Sequence, residues 1–255
     1  MSLPLQGQRA LVVGVANDQS IAWGCARAFH DAGAEVVLTY LNDKAKPYVE
    51  PLARSIESPL LMPLDVSDDA QTDALFAAIA QRFGKLDTLL HSIAFCPKKD
   101  LHGRVTDVSR DGFAQAMDIS VHSFIRLVQR AEPLMNDGGT CMTVTFYGST
   151  RVVDQYNVMG PVKAALEAVT RELASELGPK RIRVHALSPG PLKTRAASGI
   201  DDFDELLREA AERAPTQQLA TIEDVGAYAA FLASPAAANV TGTVPVIDGG
   251  YHIIA

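Results

Sequence analysis

Arg9-Ala10-Leu11-Val12-Val13-Gly14-Val15-Ala16-Asn17-Asp18-Gln19-Ser20-Ile21-Ala22-Trp23-Gly24 is the stretch whose reading decides the fold. A short apolar run ends on a glycine, a polar turn follows, and over 20–32 apolar residues including Trp23 and Phe29 return at helical spacing. Strand, glycine turn and helix open a parallel α/β unit, whose turn can present backbone N–H groups and a helix N-terminus to a pyrophosphate. Gly14 is expected to permit close approach there, and Ser20 to add a hydroxyl donor. The turn lacks the Gly-x-Gly-x-x-Gly pattern, so alone it reads equally well as a tight structural turn.

Outward from this unit the rhythm repeats. Strands are predicted over 35–40, 59–64 and 86–91, and helices over 43–57 and 68–83. A long helical region over 111–136 follows, then a strand over 140–145, a helix from Tyr156 to about 177, a strand over 182–187 and a last strand near 244–247. Such alternation predicts an α/β, doubly wound (Rossmann) parallel sheet with helices on both faces. No linker or charge block divides the chain, so one domain over 1–255 is expected.

The formal net charge of -7, with no run of Lys or Arg, argues against a nucleic-acid surface. Cys25, Cys96 and Cys141 show neither disulfide-framework nor zinc spacing, and read as free thiols in a reducing cytoplasm. No apolar run reaches membrane-spanning length and the first residues do not resemble a signal peptide, so a soluble, unexported protein that avoids the membrane is expected.

Tyr156 and Lys163 are the candidate chemical pair. On one helix, seven residues make almost two turns and a rise of about 10 Å, so both would project from one face. A lysine cation beside a phenol favours the phenolate side of its equilibrium. Tyr-x6-Lys recurs often by chance, and context must decide. Asp65, at the third strand's end, could accept from an adenine amino group or cap the next helix. His91-Ser92-Ile93-Ala94-Phe95 closes the fourth strand. Ligands of open α/β sheets lie beyond the carboxyl ends of the strands, where these segments converge.

The stretches 14–24, 40–44, 91–97, 147–163, 188–200 and 248–252 together resemble the bacterial enoyl-acyl-carrier-protein reductases, a divergent branch of the short-chain dehydrogenases/reductases. Ser20-Ile21-Ala22-Trp23-Gly24, Tyr156-Asn157-Val158-Met159-Gly160 and Gly190-Pro191-Leu192-Lys193-Thr194-Arg195-Ala196-Ala197-Ser198-Gly199-Ile200 carry the resemblance most specifically. It implies reduction of a trans-2-enoyl thioester on acyl carrier protein with a nicotinamide cofactor, by a homotetramer. By the same matching Tyr156 faces the thioester oxygen, Lys163 holds the nicotinamide ribose, and Tyr147 is the family's second tyrosine. Gly14, Ser20, Ile21, Leu41, Asp65, Val66, Ser92, Ile93, Ala94, Leu192 and Thr194 fall at cofactor positions. Cys96 falls beside the substrate carbonyl, and Ala196, Ala197, Ile200 and Phe203 line a mobile acyl-chain loop within a substrate region of about 190–215.

Three departures accompany the resemblance. Tyr147 precedes Tyr156 by nine residues where the family commonly has ten, and Ala94 stands where a glycine is usual. Pro161 lies inside the expected helix, where it removes the donor to the Asn157 carbonyl and predicts a kink between Tyr156 and Lys163.

Other conspicuous residues are read plainly. Trp23 and Cys25 are expected in the core, and His30, His102, His122, His185 and His252 at the surface or in caps. Two other functions are weighed. A ketoreductase would carry a serine thirteen residues before the tyrosine, where Thr143 stands, and a silent dinucleotide-binding protein would not turn over any thioester. At the end of the second strand neither Leu41 nor Asn42 can answer a 2′-phosphate, so NADH is expected over NADPH, with Lys44 and Lys46 further on. A basic patch of Lys193, Arg195, Arg208 and Arg213 is expected to dock the acidic carrier.

Overall fold

β1 (Arg9–Val13) lies between β2 (Glu35–Tyr40) and β4 (Thr88–His91), pairing in parallel with both. In this computed structural model, which describes residues 3–192 and 203–254, the described strands form one sheet in the order β3-β2-β1-β4-β5-β6-β7. β3 is Leu61–Pro63, β5 Gly139–Val144, β6 Ile182–Pro189 and β7 Val246–Ile247, and every pairing is parallel. The order reverses at β1, so the crevice between the carboxyl ends of β1 and β4 is the natural ligand position.

Alternation along each strand sends side chains to two apolar layers. Leu11 and Val13 join one cluster with Leu75 and Ile79 of α3 (Asp69–Phe83), Phe124 of α6 (Ser123–Ala131) and Leu166 of α7 (Met159–Leu177). Ala10 and Val12 join the other with Trp23 and Phe29 of α1 (Ile21–Asp31), Val49 of α2 (Lys46–Ser55) and Leu232 of α9 (Ile222–Ala233). Trp23 and Cys25 are therefore core residues, as their helical spacing suggests.

α1 and α9, from opposite ends of the chain, cross at two glycines. A Cβ on Gly24 would stand 2.2 Å from the Ile222 carbonyl oxygen, and one on Gly226 2.4 Å from that of Gly24. Helix backbones in such contact leave no volume for a methyl group. Arg183 of β6 completes the seam by donating to the carbonyls of Leu232 and Ala237, beyond the core of α9.

Several elements differ from the sequence reading. β3 is shorter than 59–64, and as an edge strand it tolerates Pro63 at its end. The long helix over 111–136 is broken into α5 (Arg110–Met117) and α6 by a π-turn at Asp118–His122. His185 is not at the surface: it is fully buried in β6, with Nδ1 2.9 Å from Thr243 Oγ1, and burial lowers its pKa to about 4.

Gly24→Ala should lower thermal stability by about 1–3 kcal/mol through overpacking of the α1–α9 seam. Gly178→Ala, where an added Cβ meets nothing within 4 Å, is the control. Equal melting temperatures for the two variants would show that the seam is not tight.

Candidate active site

The carboxyl ends of β1 and β4 are joined directly. Ser92 N donates to the Val13 carbonyl at 2.9 Å, and Gly14 has φ +108. A Cβ there would fall 2.1 Å from the Ser92 carbonyl oxygen, so the glycine is demanded first by protein packing. In the following turn Ser20 Oγ donates to the Asn17 carbonyl at 2.6 Å, and its backbone opens α1 without a side-chain cap. Ile21 is partly buried against the α1 layer. The polar turn and the helix N-terminus thus stand together over the crevice edge.

Asp65 takes neither cap nor core position. Its Oδ1 accepts from Ser67 N and Oγ, whereas Asp68 caps α3 by accepting from Gln71 N. The carbonyl of Val66 accepts from Arg126 Nη2 at 2.7 Å, and Arg126 also donates to Asp118 in the π-turn. That turn buries Ser120, whose Oγ accepts from Phe95 N at 2.9 Å and donates to Phe95 O at 3.2 Å. Ser120 so fixes the segment that carries Ser92, Ile93 and Cys96, with Ala94 exposed upon it. Burial pushes the Cys96 thiol pKa up, and its Sγ lies against the Pro97 carbonyl.

Tyr156 is not on the helix of Lys163, which corrects the expectation of a shared helical face. α7 begins at Met159, and Tyr156 occupies the preceding turn between Gln155 at φ 61 and Asn157 at φ 43. Its ring meets Phe146 edge-on at 5.0 Å and covers Gly148, where a Cβ would lie 2.6 Å from the tyrosine Cδ1. Asn157 Nδ2 donates to the Asp100 carbonyl at 3.3 Å, tying this turn to α4 (Lys98–Leu101). The ground for expecting a kink at Pro161 also falls away. Pro161 is the third residue of α7, where backbone N–H groups have no partner within the helix, so its missing donor costs nothing.

Lys163 is buried, and its Nζ donates to the Val144 carbonyl at 2.7 Å. Burial lowers its pKa to about 8, and the negative charge of Glu167 opposes that shift. Glu167, one turn on and itself buried, accepts from Thr145 Oγ1 at 2.7 Å. Val144 and Thr145 therefore collect both ends of this pair at the end of β5. Glu167 escaped the sequence reading, although its place four residues after Lys163 on an amphipathic helix was the available signal. Burial and the same carboxylate raise the Tyr156 phenol well above its ordinary value.

Tyr147 faces elsewhere. Its ring contacts Phe146 at 4.4 Å and Tyr251 edge-on at 5.8 Å, with a hydroxyl hydrogen bond to Tyr251. Burial, chiefly, raises its phenol pKa. Phe146 thus stands against both tyrosines, and the segment between them carries the fully exposed Val152. Tyr251 and Asp248, whose carboxylate accepts from the backbone of Gly250 and His252, lie in the matched stretch 248–252, which the sequence reading assigned no role.

Thr143 is withdrawn from any ligand. Ser123 Oγ donates to the Ile119 carbonyl, so His91 Nε2 must donate to Ser123 Oγ at 2.8 Å. His91 Nδ1 then accepts the Thr143 hydroxyl at 2.9 Å. All three side chains are buried, and burial holds His91 neutral with a pKa of about 3.

Leu41 is exposed just past β2, while the Leu192 side chain is taken up by the core. Lys193, Thr194, Arg195, Ala196, Ala197 and Ile200 lie outside the described residues, as does the side chain of Phe203, which begins α8 (Phe203–Arg213). The expected basic patch is not what α8 presents. Arg208 is bound by Glu205 and Glu212 of its own helix, and Arg213 lies over the Tyr251 ring at 5.9 Å. Among the described residues no group of acids, histidines and cysteines could hold a metal ion, and no helix is long and apolar enough to cross a membrane.

Known proteins resemble this chain along nearly its whole length. The family model described as "Enoyl-(Acyl carrier protein) reductase" matches residues 14–252. Enoyl-[acyl-carrier-protein] reductase [NADH] 1 of Rhizobium meliloti is 48% identical over 98% of this chain and 92% of its own length. The Synechocystis enoyl-[acyl-carrier-protein] reductase [NADH] is 43% identical over 99% of each. Among solved structures, the Bacillus cereus enoyl-acyl carrier protein reductase with NADP+ and indole naphthyridinone superposes with a TM-score of 0.97, at 44% identity and complete coverage of both chains. The Anaplasma phagocytophilum reductase in complex with NAD gives 0.95 at 43% identity, covering 100% of this chain and 97% of that one. With a matching fold and this identity along its length, the chain belongs to the enoyl-acyl-carrier-protein reductase family.

Proposed function

We propose that this protein reduces the trans-2 double bond of enoyl thioesters on acyl carrier protein with NADH, in fatty acid biosynthesis. The buried Lys163 ammonium carries the reading. Only one of its three N–H donors has a partner among the described residues, the Val144 carbonyl, so two remain for ribose hydroxyls. The residues present therefore fit the cofactor. When bound, the nicotinamide supplies the hydride that adds to the substrate β-carbon. Gly14, Ser20, Ile21, Leu41, Asp65, Val66, Ser92, Ile93, Ala94, Leu192 and Thr194 are assigned to holding it, on the family matching.

Tyr156 is assigned to the thioester carbonyl oxygen, where negative charge develops as the β-carbon accepts hydride. Its raised pKa keeps the phenol protonated, and so a donor, at neutral pH. Cys96, Tyr147, Ala196, Ala197, Ile200 and Phe203 are assigned to the substrate, within the 190–215 region. The ketoreductase reading is disfavoured because the Thr143 hydroxyl is committed to His91. A silent binding protein loses one support, since Pro161 falls in the first turn of α7. The family resemblance also supports a homotetramer working in the cytoplasm.

Tyr156→Phe should lower turnover of enoyl thioester by up to about 10² while leaving NADH affinity nearly intact, whereas Lys163→Ala should weaken NADH binding as well. Should Tyr147→Phe abolish turnover while Tyr156→Phe does nothing, the tyrosine roles are reversed.

Lys163 holds ribose hydroxyls best as the cation, and its pKa of about 8 makes that form dwindle as pH rises through this value. NADH affinity, followed by fluorescence titration, should therefore weaken above about pH 8. The dependence should vanish in Lys163→Ala, and a flat profile in the parent protein would refute it.

Asn42 Oδ1 accepts from Lys44 N and Ala45 N, and Lys46 Nζ lies over the Tyr40 ring at 5.8 Å. The two residues directly after β2, Leu41 and Asn42, offer no cation to a 2′-phosphate, so kcat/KM should favour NADH over NADPH. Equal or higher efficiency with NADPH would contradict this.

A further inference from the structure

The two lips of the crevice carry opposite charge. On one side the sequence of α8 carries two cations, Arg208 and Arg213, and four carboxylates, Asp204, Glu205, Glu209 and Glu212. Arg208 is engaged by Glu205 and Glu212, so this helix presents net negative charge.

The other lip is the segment beyond β4 that carries α4 and leads into α5. Lys98, Lys99, Arg104 and Arg110 are all exposed, and among the described residues none forms an ion pair. Of the carboxylates interleaved with them, Asp100 is turned inward, accepts from Ser109 N at 2.7 Å and acts on Lys99 through charge without an ion-pair contact. That leaves Asp107 and Asp111 at the surface, two against four cations. Exposed apolar side chains, Phe95 and Val105, adjoin these cations. The lip is also close to the chemistry: Lys98 lies two residues beyond Cys96, and the Asp100 carbonyl receives the Asn157 amide beside Tyr156.

We propose that the acidic carrier protein docks on this lip, through Lys98, Lys99, Arg104 and Arg110, and not on α8. The proposal rests on the enoyl-thioester reading. An acidic partner is attracted by exposed cations in excess over neighbouring carboxylates and repelled by a helix of net negative charge, and like-charge juxtaposition discriminates against docking on α8. Since exposed charges are screened over about 8 Å at physiological salt, the attraction acts mainly on encounter.

The test compares the intact protein with Lys98→Glu/Lys99→Glu and with Arg208→Glu. Each is assayed with one enoyl group presented on acyl carrier protein and as its N-acetylcysteamine thioester. The double variant should raise KM for the carrier-linked substrate about tenfold at low salt, with the difference shrinking at high salt. Its kcat/KM for the small thioester should be unchanged. The docking proposal is overturned by an unaltered carrier KM, by a larger effect of Arg208→Glu, or by equal losses on both substrates. If the parent protein reduces neither thioester, the enoyl reductase reading itself fails.

Discussion

The hydrogen bond from Lys163 Nζ to the Val144 carbonyl fixes more of this site than any other contact. A lysine driven from 10.5 to about 8 bears roughly 3 kcal/mol against its charged form. Burying it is tolerable only because a carbonyl accepts from it and a buried carboxylate stands one turn further along the same helix. Those two requirements decide where α7 lies against β5. The helix starts at Met159, one turn ahead of residue 163, which leaves Tyr156 to the preceding turn. That turn is built on two residues with left-handed φ, Gln155 and Asn157, a conformation costing about 1–2 kcal/mol for an ordinary L-residue. Contacts to Phe146, Gly148 and Asp100 hold it.

Strand and helix order was legible because hydrophobic periodicity, glycine turns and strand-length runs are local signals. The sheet needed nothing beyond them, and the family motifs added the identity of the chemistry. What escaped was long-range. No local pattern says that residue 120 will grip residue 95, or that the helix over 111–136 breaks at a π-turn to aim Ser120 and Ser123 inward. His185 was misread for the same reason: its partner, Thr243, lies in a distant segment. Tyr156 was set on the helix because the apolar spacing continues through it, while the positive φ angles on either side depend on tertiary contacts. Pro161 misled because its effect depends on its distance from a helix start that periodicity locates poorly.

Polar groups at the carboxyl end of the sheet divide into two kinds. His91, Thr143, Ser123 and Ser120 satisfy one another or the backbone, and shape the floor of the crevice without reaching it. Lys163 is buried with donors to spare, which makes it useful to a ligand and costly to leave alone. Similar residue types on neighbouring strands can thus be scaffold or machinery, and hydrogen-bond bookkeeping separates them where residue identity does not.

The glycine seam between α1 and α9 bears on how the chain is made. α1 is synthesised well before α9, so the apolar face of α1 that includes Trp23 and Phe29 stays without this cover until α9 has left the ribosome. The contact joins distant parts of the sequence, and such pairings carry a loop-closure cost that slows folding. A nascent or truncated chain therefore exposes that face, and it is the surface on which chaperone binding or aggregation would begin.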